Sequence, residues 1–337
     1  MNKRTLTIIQ YIFFFGLGIF LVWWSIKDLS KEDIAQIKQS LKHARYYLIF
    51  PVFIMLLLSH YIRGLRWRLL IEPLGYPVKR SNTFLAVMIG YLTNLAFPRL
   101  GEVLRCTALA RYEKAPVDKL IGTVILERII DSLCLLIVFG ITLALQPGIY
   151  TQIIDTFFRT SANTEEKKSS LLLVALAILV LGAIIISLWM LIKKRNFKDL
   201  IVVIKKIIKS VWEGISAIQH LKKRMQFLVL TLLMWALYLG CGYIGFFALQ
   251  ETSHYGIKEA FTVLSAGSIG VIVTPGGIGA YPIMLEKTMQ LYGLQKGIAL
   301  AFGWLLWLAQ TGVLLAGGLV SFIAMPYLNK KRPDEKS

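Results

Sequence analysis

Apolar runs long enough to cross a bilayer recur from one end of this chain to the other. Stretches at 5–26, 46–63, 120–145, 169–192, 226–249 and 298–325 each approach the roughly 20 residues that a membrane-spanning helix needs. In lipid, every backbone N–H and C=O must be paired internally, so only helices and closed barrels span. The alternating apolar and polar pattern of a barrel strand is absent. With 56% hydrophobic and only 17% charged residues among 337, the chain excludes a soluble globular domain. The expected fold is an all-α polytopic membrane protein.

Two further apolar regions break the pattern, making eight hydrophobic segments by hydropathy. Residues 82–97 are short and run into "PRLGEVLRC", while 258–292 are split by "VTPGGIGAYP". A broken backbone in lipid costs several kcal/mol for each unpaired group, so such a break belongs beside protein or a wet cavity. Basic residues fix the sidedness. Arg63, Arg66, Arg68, Lys79 and Arg80 precede the first broken region, and Arg105, Arg111, Lys114 and Lys119 follow it. Both groups should be cytoplasmic, so 82–119 enters and leaves on one side as a re-entrant hairpin. The basic stretch 193–224 and the tail 326–337 should lie on that side too, and 258–292 then forms a second hairpin from outside. The resulting layout is about six full spans plus two re-entrant hairpins. The single integral membrane domain divides into inverted halves, 1–145 and 146–325, with both termini cytoplasmic in the cell (inner) membrane. An inverted repeat with broken helices in matching positions points to a transport site near the midplane.

The net charge of +19 could suggest nucleic acid, but the basic residues flank hydrophobic spans and no basic soluble module exists to carry such binding. Cys106, Cys134 and Cys241 lack the spacing of a disulfide framework or a zinc site. No cofactor or metal motif appears. His43, His60, His220 and His254 are scattered and read as interfacial residues. The N-terminal apolar run is too long for a signal peptide and reads as an uncleaved first helix. Between 193 and 224, apolar residues at helical spacing flanked by lysines read either as a helix on the inner leaflet or as a linker helix packed on the protein.

Three polar constellations lie at membrane depth. Arg99, Glu102 and Arg105 are spaced by threes, so on a helix the carboxylate can pair with either guanidinium. Arginine's planar fork suits phosphate. Glu127, Arg128 and Asp131 fall on one side of a span, roughly 13 Å or more past Lys119. Ionisable groups at that depth face a partner or a hydrated cavity. In the third, a half-helix starting near Ala280 with Pro282 in its first turn would aim free N–H donors at the cavity, and Gly276, Gly277 and Gly279 would let a phosphate approach.

"SHYIRGLRWRLL", "NLAFPRLGEVLRCTALAR", "ERIIDSLCLL" and "TPGGIGAYP", in this order and spacing, resemble the flippase-like transmembrane region of lysylphosphatidylglycerol synthases and its stand-alone relatives. The resemblance implies movement of a phospholipid or a lipid-linked, polyprenyl phosphate intermediate between leaflets. It also implies membrane lipids, anionic ones above all, as ligands, and enzymes of lipid or cell-envelope synthesis as partners. Arg99, Arg105 and Arg128 would hold the headgroup, with Glu102, Glu127 and Asp131 as ion-pair or coupling carboxylates. In the full synthases an aminoacyl-transferase domain follows the membrane region; it is not expected here, and neither is aminoacylation. Relatives often carry an acidic residue soon after the PGG element, where this chain has Tyr281 and Pro282, with Glu286 a turn later. Two alternatives stand beside transport of lipid: an intramembrane lipid-phosphate enzyme, such as a polyprenyl-diphosphate phosphatase, and a small-solute transporter.

Overall fold

A computed structural model describes residues 16–27, 29–97, 100–146, 148 and 221–330, and no strand occurs among them. The helices are α1 (Gly16–Lys27), α2 (Lys31–Lys42), α3 (Ile49–Ile71), α4 (Arg80–Ala96), α5 (Leu100–Glu113), α6 (Val117–Leu145), α7 (Arg224–Phe246), α8 (Ile257–Val273), α9 (Ala280–Leu291) and α10 (Lys296–Leu328). The span read at 169–192, Arg99, the tail from 331 and nearly all of the basic stretch 193–224 lie outside the described residues.

The 33 residues of α10 form the axis against which the rest is placed. Near its start, Gly297 abuts the backbone of Asp33 on α2, and Gly303 abuts that of Pro282 on α9. Towards its other end Gly318 meets Leu92 of α4, and beyond it Asn329 exchanges side-chain hydrogen bonds with Asn82 (2.8 and 2.9 Å). The helix pairs α4–α5 and α8–α9 therefore open at opposite ends of α10. Their tips meet, because a Cβ on Gly276 would lie 2.7 Å from the Leu95 side chain. Helices α3 and α7 run antiparallel, joined at one end by the Arg45 N–H to the Ala248 carbonyl (2.8 Å) and at the other by Lys223 and Glu72 (3.0 Å). At its far end α6 reaches the start of α8 through Gln146 and Glu259 (3.1 Å).

Tyr46–Leu74, Arg224–Phe246 and Lys296–Leu328 are each long and apolar enough to cross a membrane. Large apolar side chains such as Leu136, Leu232, Phe322 and Ile323 are exposed on these and neighbouring helices, as lipid contact requires and water would penalise. In lipid, helices associate through close packing and not through expulsion of water. Glycines supply it here: a Cβ on Gly101 would collide with the carbonyl of Gly90, and one on Gly270 would lie 2.6 Å from the Tyr281 backbone. One core surrounds Trp67, Met325 and Leu109 at the end where α4 begins. A second, at the opposite end, centres on Phe246 and Phe302, whose rings stack at 5.3 Å.

The structure corrects one boundary. The second span does not end at 63: α3 continues to Ile71 because Trp67 is fully buried and donates its indole N–H to Thr123 (2.9 Å). Arg63 and Arg66 are thus inside the helix bundle and not in a basic loop.

Candidate functional site

Three helices bring ionisable side chains to one depth. Arg63 and Arg66 stand one turn apart on α3, Arg105 on α5, and Glu127 and Asp131 one turn apart on α6, each roughly 8–20 Å from its helix's end at 1.5 Å per residue. The two acids share the three arginines. Glu127, with no exposed surface, accepts from Arg63 (2.8 Å) and Arg66 (3.4 Å) on one oxygen and from Arg105 (2.7 Å) on the other. Asp131 takes Arg63 on one oxygen (2.7 Å) and Arg66 on the other. Among the described residues, three guanidinium groups against two carboxylates leave one positive charge in excess. The Arg105 guanidinium also lies over the Trp67 ring (4.7 Å) and that of Arg66 over Phe227 (5.5 Å), so their apolar surroundings are themselves favourable to a cation.

Above this network is a cavity of about 430 Å³, the size of a small-ligand pocket. Arg63, Arg128, Asp131, His60, Tyr91 and Tyr238 form its polar side. Leu56, Val263, Leu306 and Leu314 are among its apolar walls, and the exposed Val271 and Ile272 stand at its rim. Arg63 is hemmed by aromatic groups: its guanidinium is 5.8 Å from the Tyr91 ring and 3.5 Å from the Tyr238 hydroxyl. Arg128 turns away from its sequence neighbours and pairs with Glu102 on α5 (3.0 Å), both side chains about a third exposed (38% and 34%).

The structure places the expected residues as follows. Arg105, Glu127 and Asp131 come together in the buried network. Arg128 and Glu102 form a separate, outer pair. Glu102 therefore pairs with Arg128 and not with Arg105 on its own helix, and Arg128 pairs with neither acid on α6. Arg99 lies outside the described residues.

Helix α9 does begin at Ala280, with Pro282 in its first turn. Gly276, Gly277 and Gly279 do not line the cavity. All three have positive φ (60°, 74° and 71°), and their faces are filled by Leu95, Tyr281 and the α1 backbone at Val22 respectively. Trp307 donates its N–H to the Gly276 carbonyl (2.9 Å) and Thr274 its hydroxyl to that of Ile278 (3.0 Å). The Thr274 hydroxyl thus braces the turn. Glu286 is buried, pairs with Lys287 (3.1 Å) and does not line the cavity.

Sequence reasoning missed Arg63, Arg66, His60, Tyr91, Trp235 and Tyr238. The interfacial reading of His60 is wrong: it is 5% exposed and its ring packs on Tyr91 at 4.7 Å. The signal that could have found part of the set is the spacing of His60, Arg63 and Arg66, three apart along one face of an apolar helix.

Residues 8–318 match the family described as the lysylphosphatidylglycerol synthase transmembrane region. Among curated proteins, the UPF0104 membrane protein MJ1595 of Methanocaldococcus jannaschii is 32% identical over 87 residues, which is 25% of this chain and 26% of that relative. The chain thus matches about a quarter of that relative's length. No solved structure matches.

Proposed function

This chain belongs to the family of the lysylphosphatidylglycerol synthase transmembrane region, and we propose that it moves a phospholipid or lipid-linked phosphate between membrane leaflets. One observation carries the reading: a cavity among apolar helices, walled by apolar side chains, with one positive charge uncompensated among the described residues beneath it and the Arg63 and Arg128 guanidinium groups on its lining. Burying a charge is costly unless it is paired, and an anionic headgroup completes the balance. The phosphate sits at Arg63 and Arg128 while the acyl chains stay in lipid beyond Val271 and Ile272. Glu127 and Asp131 hold the arginines in place and do not bind the headgroup.

The opposed helix pairs α4–α5 and α8–α9 are the two re-entrant hairpins of a protein with six full spans and cytoplasmic termini in the cell membrane. Their meeting tips support this reading, and it places the cavity between the inverted halves. No nucleotide-binding motif occurs in the sequence, so the lipid gradient or an ion gradient supplies the driving force.

The test is reconstitution of the purified chain in liposomes carrying fluorescent phosphatidylglycerol, with a membrane-impermeant quencher added outside. Transport leaves less than the inner-leaflet half of the signal protected, and protein-free liposomes keep that half. Half protection in both samples would refute the proposal.

A further inference from the structure

Beside the charged part of the cavity stands a continuous arc of aromatic groups from three helices. His60 packs on Tyr91 (4.7 Å), Tyr91 lies beside the Arg63 guanidinium (5.8 Å), Arg63 reaches the Tyr238 hydroxyl (3.5 Å), and Tyr238 meets Trp235 edge-on (6.0 Å). All five line the cavity. The two ends of the arc are chemically unfinished. Neither ring nitrogen of His60, nor the indole N–H of Trp235, meets a hydrogen-bond partner among the described residues, and His60 is 95% buried by its 5% exposure. A buried polar group is ordinarily paired, so these are the exceptions to explain.

From this arc we infer that the cavity holds a second subsite, for an uncharged hydroxyl-rich group esterified to the phosphate, and that the preferred lipid is a polyol or sugar phosphodiester. The inference rests on the transport reading for the position of the phosphate. In its neutral form an imidazole offers one donor and one acceptor, whichever tautomer it adopts, and a hydroxyl answers both. The indole offers a donor only, which a hydroxyl oxygen accepts. The Tyr91 and Trp235 rings give the carbon-bound hydrogens of a polyol apolar faces to rest on.

An amine-bearing headgroup fits badly. An ammonium only donates, so it leaves the Trp235 N–H unpaired. The one carboxylate on the described lining that could neutralise it, Asp131, already has both oxygens taken, by Arg63 and Arg66. Aromatic cages do bind quaternary ammonium groups, but this arc has the Arg63 cation at its centre, which repels a second one. The site therefore disfavours ethanolamine and choline headgroups by charge, and a bare phosphate by its unfilled donors.

The experiment measures binding of the purified, full-length chain in detergent by native mass spectrometry, with four probes of matched acyl chains. Phosphatidylglycerol and phosphatidylinositol carry hydroxyls, phosphatidic acid carries none, and phosphatidylethanolamine carries an amine. We expect the first two to bind at least tenfold more tightly than either of the others. His60→Phe and Trp235→Phe should each bring the ratio of phosphatidylglycerol to phosphatidic acid affinity towards one. Should His60→Phe fail to fold, the half-buried Trp235→Phe gives the same readout. Equal affinity for phosphatidic acid, preference for the amine lipid, or an unchanged ratio in Trp235→Phe would each overturn the inference. So would binding of none of the four. Selective binding of the hydroxyl lipids by a protein that fails the liposome assay would leave the subsite standing and remove the transport reading alone.

Discussion

Glu127 has no exposed surface and accepts from three arginines on three different turns of two helices. Removing one partner of such a network leaves the others buried and unpaired, at a cost of about 3–5 kcal/mol. Glu127→Gln should accordingly destabilise the purified protein by that order, read as a large drop in its melting temperature in detergent. Glu102, about a third exposed and paired with Arg128, belongs to the other regime. Exposed pairs contribute about 1 kcal/mol at most, so Glu102→Gln should melt close to wild type. Equal losses in the two variants would show that burial does not set their worth. The acids of this network were legible in the sequence, because two carboxylates so far into an apolar span need partners. Their principal partners were not. Arg63 and Arg66 stand where a span was expected to end, and basic residues at a span end are explained equally well by the positive-inside rule. Only the burial of Trp67, which prolongs α3 to Ile71, separates the two explanations.

At the level of elements, glycine placement carries much of the architecture. Gly101 is the point where α5 crosses α4, and its N–H is held by the Asn94 side chain (2.9 Å). Gly101→Ala should push the pair apart and sharply reduce the yield of folded protein. Gly122, on α6, has nothing within 4 Å of where a Cβ would stand. Gly122→Ala should therefore be neutral or gain up to about 1 kcal/mol from helix propensity. Comparing monodisperse yield and melting temperature of the two variants checks the contrast. The break at "TPGGIGAYP" and the restart of helix at Ala280 could be read directly from Pro and Gly, whose conformational limits are local. What the glycines face could not be. Leu95, Tyr281 and the α1 backbone fill the space around them, and two of those three come from elements more than 170 residues away in the chain. The anion-cradle reading of those glycines was a sound local inference whose outcome depended on distant packing.

Taken as a whole, the molecule is polarised. Arg80, Arg111, Lys114, Lys119 and Lys223 are exposed at the end where α4 begins and α10 finishes, while the opposite end mixes Glu32, Lys38, Glu251 and Lys258. By the positive-inside rule we propose the first end as the cytoplasmic one. A single cysteine at Lys114 should then label with an impermeant maleimide only in inside-out vesicles, and one at Lys258 only in right-side-out vesicles. Cys134 is replaced in both, and Cys106 and Cys241 are buried. Labelling of position 114 from outside would reverse the topology. The sequence made the uneven charge and the two opposed, broken helix pairs legible through its basic clusters and helix breaks. It pointed to a hydrated site at the depth of Arg128 and Asp131, but not to most of the cavity's lining, which seven helices supply with residues distant in the chain. That cavity is the centre of the account, and filling it is the most direct test. Ser268 lines it from α8, and Ser268→Trp places an indole in the route without touching an ion pair. The variant should fold and insert in the membrane while its lipid translocation falls to the rate of protein-free liposomes. Translocation at the wild-type rate in a folded Ser268→Trp protein would contradict the account.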